Sequence, residues 1–161
     1  MRTRRRLLTV TSVAVIVAVG ATLWSVVGTT NASRNEPRSG AALVRIAQRF
    51  NADYAANRDG LVYDRWDPRS RLVISRGRYI RLHALCSTAP GPAAVDGATP
   101  VDHGYWRVGY VIGGVQLTDY WHYVGGRWLF SLQRSNPDAV RLYRMPSAGY
   151  MAAVGCSEPT G

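Results

Sequence analysis

Between Tyr105 and Leu132 the chain alternates with a period of two, and glycine pairs break the alternation twice. Trp106, Val108, Tyr110 and Ile112 fall on one face, and Tyr105, Arg107, Gly109 and Val111 on the other. After Gly113-Gly114 the pattern resumes with Val115, Leu117, Asp119, Trp121 and Tyr123. After Gly125-Gly126 it continues with Trp128, Phe130 and Leu132. Successive strand residues point to opposite faces, and a two-residue glycine turn supplies the positive φ angles of a tight hairpin. This segment therefore predicts an antiparallel meander of three strands. An irregular edge strand over 94–101 adds a fourth.

The residues before the meander follow a helical period instead. Leu43, Ile46, Ala47, Phe50 and Tyr54 form one apolar stripe over 41–56. A short helix is expected up to Trp66, with a turn through Asp67-Pro68. Ser75 is placed to cap a helix over 76–85, with Tyr79, Ile80, His83 and Ala84 on its inner face. Beyond the meander, Asn136-Pro137 reads as a cap and first turn, and Met145-Pro146-Ser147 as a break before a last short helix. Helices first and a meander afterwards predict an α+β domain with helices packed on an antiparallel sheet.

The N-terminal region obeys a different constraint. Arg2, Arg4, Arg5 and Arg6 precede a run, 7–28, without a charged residue. As a helix the run spans roughly 33 Å, enough for a hydrocarbon core of about 30 Å. The basic residues orient 1–6 to the cytoplasm and the rest of the chain outside, and Trp24 suits the outer interface. A single-pass anchor is thus expected over 7–28, a polar linker over 29–40 and an extracytoplasmic domain over 41–161. The alternative is a signal peptide cleaved near Ala32, although such peptides have apolar cores of only about 7–15 residues.

All 20 basic residues are arginine, so arginine counts alone say little about phosphate recognition. The four N-terminal arginines account for part of the net charge of +10, and without them it falls to +6. No zinc-finger spacing, RNA-recognition signature or Walker loop is present, and nucleic acid is not an expected partner. Cys86 and Cys156 are expected to pair in an oxidising compartment, stabilising the domain by roughly 4 kcal/mol. Two buried free thiols are the alternative.

The stretches WDPRSRLVISRGRYIRLHALC and YWRVGYVIGGVQLTDYWHYVGGRWLFSL resemble segments of exported, membrane-anchored actinobacterial domains of the nuclear transport factor 2-like (SnoaL-like) superfamily. The resemblance covers about residues 41–135. It implies a cone, a strongly bent sheet wrapped around helices, often with an apolar cavity at its open end. Members include isomerases, dehydratases, ligand carriers and scaffolds, so fold does not fix function.

Candidate chemistry centres on Asp119, on the inward face between Leu117 and Trp121, and on His83. Together they are the candidate acid/base pair. Tyr54, Tyr63, Trp66, Trp121 and Trp128 are candidate pocket residues. His83, His103 and His122 lack ligand spacing, so neither a metal nor a cofactor is expected. Arg69, Arg71, Arg76, Arg78 and Arg81 form a candidate basic face for anionic lipid or a cell-wall polymer. The reading placed first is a non-enzymatic interaction or assembly module of a bacterial envelope, with an envelope protein or a second copy as partner. A small-molecule-binding cone comes second and an isomerase- or dehydratase-like enzyme third. A cavity filled by Trp66, Trp121 and Trp128 favours the first, and an open one favours the others.

Overall fold

A computed structural model describes residues 35–86, 91 and 93–156. The expected cytoplasmic tail 1–6, the anchor 7–28 and the first part of the linker lie outside the described residues. Among the described residues, no helix is long and apolar enough to cross a membrane.

The domain is α+β, with helices packed on a four-stranded antiparallel sheet. Helix α1 (Gly40–Ala55) begins at Ser39, whose hydroxyl accepts the Ala42 N–H. It buries Leu43, Ala47 and Phe50 from the predicted stripe. Short helices α2 (Asp59–Tyr63) and α3 (Pro68–Arg71) follow. Pro68 occupies the first turn of α3, where no N–H is required, and the Asp67 carboxylate accepts the Ser70 N–H at 2.6 Å. Helix α4 (Arg76–Leu85) is capped by Ser75 as expected. Its buried face runs through Tyr79, Leu82, His83 and Cys86, and Ala84 is exposed. That face differs from the predicted one because positions 79, 82, 83 and 86 recur at i, i+3, i+4 and i+7 and share one side of the helix, ending at Cys86, which is bonded to Cys156 with 5.7 Å between Cα atoms.

Strands β1 (Ala94–Pro100), β2 (Tyr105–Ile112), β3 (Val115–Val124) and β4 (Arg127–Phe130) pair in chain order. Both glycine pairs have positive φ at both positions, the two-residue turn that follows the twist of the strands. The register places Trp106 opposite Trp121, Val108 opposite Asp119 and Tyr110 opposite Leu117. Directly opposed residues share a face, so Asp119 points inward with Val108. The exposed edge of β1 is covered at its start by Gln48 of α1. Its amide donates to Ala93 O at 2.8 Å and accepts from Val95 N at 3.1 Å.

Strand β4 is shorter than the alternation predicts. Pairing stops at Phe130, because hydroxyl groups take over as partners. The Leu132 N–H donates to Ser70 Oγ, and the Tyr120 N–H to Ser135 Oγ. Leu132 therefore opens helix α5 (Leu132–Ser135) while staying buried. Helix α6 (Pro137–Arg144), capped by Asn136, and α7 (Ser147–Val154) close the layer.

Part of the segment expected as linker belongs to the domain. The Glu36 carboxylate accepts the Trp128 N–H at 2.7 Å and pairs with Arg65 at 2.6 Å. Its carbonyl accepts from the Tyr123 hydroxyl, and Pro37 O accepts from Trp128 Nε1 at 2.9 Å. Removing these charge-assisted bonds with Glu36→Ala is expected to lower the free energy of unfolding by about 2 kcal/mol in urea melts. An unchanged midpoint would show that the Glu36 carboxylate adds nothing to the domain.

Candidate functional site

A cavity of about 290 Å³ remains between the helices and the inner face of the sheet. Phe50, Asn51 and Tyr54 reach it from α1, Trp66 from the α2–α3 turn, and Tyr79 from α4. Tyr110 and Asp119 line the sheet side, and Ala139 and Tyr143 of α6 line the opposite side.

Asp119 is 6 % exposed. The Tyr110 hydroxyl donates to its Oδ1 at 3.3 Å, and among the described residues no other side chain hydrogen-bonds to this carboxyl. Burial without a counter-charge pushes the carboxyl up to about 7, a rise that the Tyr110 bond offsets only in part. Burial also raises Tyr110, Tyr79 and Tyr143, so these phenols stay neutral.

His83 does not pair with Asp119. Its Nδ1 lies 3.0 Å from Asp59 Oδ1 and its Nε2 2.8 Å from the Tyr143 hydroxyl. All three side chains are buried. Burial lowers His83 and raises Asp59, and their mutual attraction offsets each shift in part. A neutral His83 carries one N–H. Donating it from Nδ1 to Asp59 leaves Nε2 to accept from Tyr143, which satisfies all three groups. The chain of bonds fixes the Tyr143 hydroxyl at the cavity wall.

Of the predicted pocket residues, Tyr54 and Trp66 line the cavity. Tyr63 is not among the lining residues, and its hydroxyl donates to Ile74 O at 2.8 Å. Trp121 and Trp128 are fully buried elsewhere. Trp121 packs edge-on against Phe50, and Trp128 against Trp106 and Tyr123. The three tryptophans therefore leave the cavity unfilled. The residues that sequence reasoning missed are Asp59, Tyr110, Asn51 and Tyr143.

The predicted basic face is divided among local partners. Arg76 forks onto Asp64, Arg71 donates to Asp64 O, and Arg78 donates to Met145 O. Arg69 and Arg81 are exposed. His122 lies 3.1 Å from Asp67 and stacks on Tyr105, and His103 forms an exposed pair with Asp102.

Comparison of the chain with protein-family models, with curated proteins and with solved structures gave no match.

The Asp119 shift has a definite sign. The folded-state value near 7 lies above the ordinary 3.8, so the folded protein holds the extra proton between them. Stability is fully present below about pH 4 and is lost as pH rises through 7, by roughly 4 kcal/mol at alkaline pH. Asp119→Asn is therefore expected to be near neutral at pH 4 and stabilising at pH 8. Urea melts at the two pH values check this. A destabilised variant at pH 8 would contradict it.

Proposed function

We propose that this chain is a membrane-anchored, extracytoplasmic domain that binds a small molecule in the cavity at Asp119. The observation that carries the reading is the cavity itself: a space of about 290 Å³, walled by aromatic rings, with one buried carboxyl on its side. Ligand sites are concave, largely apolar and furnished with a few placed polar groups. A ligand that binds only the folded protein adds to its stability.

Two further features support the setting. The Cys86–Cys156 bond suits an oxidising compartment, as expected of a domain carried outside by the run 7–28. Helices packed on an antiparallel sheet with a cavity between them are compatible with the resemblance to the nuclear transport factor 2-like superfamily. A cavity filled by Trp66, Trp121 and Trp128 would have favoured the assembly role that the sequence places first. With that space open, ligand binding becomes the leading reading, and contact with an envelope partner or a second copy a secondary one.

Thermal unfolding with a panel of one- and two-ring molecules tests the reading. A binder at 100 times its Kd should raise the midpoint by about 8 °C. Ala139→Phe, which fills the cavity from α6, should fold and lose the response. A response that survives Ala139→Phe places binding elsewhere, and a panel without binders argues against the reading.

A further inference from the structure

The wall of the cavity holds an unresolved electrostatic problem. Asp119 is the one carboxylate there, and neither an arginine nor a histidine lines the space among the described residues. The titratable groups facing it are phenols: Tyr110 from β2, Tyr54 from α1, Tyr79 from α4 and Tyr143 from α6. Asp59 and His83 are bonded to each other, and His83 to Tyr143, and neither lines the cavity. A buried carboxylate is stable only with a proton or a cation beside it. With no cationic side chain on the wall, a proton is the remedy the protein itself offers. A ligand can supply the cation.

The rest of the lining favours the same charge. Phe50, Tyr54, Trp66 and Tyr110 bring ring surfaces to the cavity. Aromatic faces attract cations, and most strongly where water is excluded. An anionic ligand would meet the Asp119 carboxylate without relief, and a neutral one would leave it to take a proton. The volume lies near the small end of the range for ligand sites, roughly 300–1,000 Å³, which suits a body of one or two rings.

We infer that the ligand is a small organic cation, an amine or quaternary ammonium on an apolar or aromatic body, with its charge on Asp119 and its body among the rings. This rests on the proposal that the cavity is a binding site. Binding then requires the ionised carboxyl, so a proton leaves as the cation enters. With the carboxyl titrating near 7, affinity weakens about tenfold from pH 8 to pH 6. A quaternary ligand carries no titrating proton, so this dependence belongs to the protein.

The test is calorimetric titration of the full chain in detergent with benzyltrimethylammonium, benzylamine, benzyl alcohol and benzoate, at pH 8 and pH 6. Both cations should bind at least tenfold more tightly than benzyl alcohol at pH 8, and benzoate should not bind. Each cation should weaken about tenfold at pH 6. Asp119→Asn should abolish the preference for cations and retain benzyl alcohol, which also shows that the variant folds. Benzyl alcohol binding as well as benzylamine, or cation binding indifferent to pH or to Asp119→Asn, overturns the ligand class and leaves the cavity reading standing. No binding by any probe overturns both.

Discussion

Phe130 donates its N–H to Arg65 O and accepts the Asp67 N–H, both at 2.9 Å, and so joins the helical layer to the last strand of the sheet. Much else follows from this exchange. It aligns Trp66 with Phe130, which puts both rings on the cavity. It fixes Asp67 where its carboxylate caps α3, and Ser70 where its hydroxyl receives the Leu132 N–H. That last bond ends β4 and turns the chain into α5. Helix α6 then arrives opposite the sheet, with Tyr143 facing the space. The cavity exists because two layers are fastened at this edge and spaced by large rings.

Three aspartates are buried in the described residues, and each meets burial differently. Burial alone would raise the Asp67 carboxyl, but bonds from His122 and Ser70 outweigh it and hold the carboxyl below its ordinary value. Asp59 has His83 as a buried partner. Asp119 has only a phenol at 3.3 Å. A charge that cost stability at neutral pH without any return would be readily replaced by asparagine or leucine, whereas functional sites are where such costs are retained. This contrast within one small core gives Asp119 its functional weight.

Much of the fold was legible in the sequence because it is dictated locally. The glycine pairs prescribe their turns, Ser75 and Asn136 prescribe helix starts, and alternation from Trp106 to Tyr123 assigns Asp119 to the inner face. Features set by distant partners were not legible. The α4 face runs through Leu82 to Cys86, whose disulfide partner Cys156 lies 70 residues along the chain. Leu132 left its strand because a serine 62 residues earlier receives its N–H. Glu36 read as a linker residue because its partners, Arg65 and Trp128, lie far along the chain. The partner of His83 was missed for the same reason. Asp59 carried no motif of its own, and Tyr143 belonged to a helix known only by its cap. Tyr110 was visible in the alternation, since it shares a face with Val108 two residues earlier.

The central claim is that Asp119 is a buried carboxyl without a counter-charge, on the wall of a cavity. Its titration by carbon NMR, with the side-chain carboxyl labelled, measures this directly. The account predicts a midpoint near 7 in the free protein. A midpoint near 4, the ordinary carboxylate value, would mean that water or a cation already compensates the charge, and would contradict it.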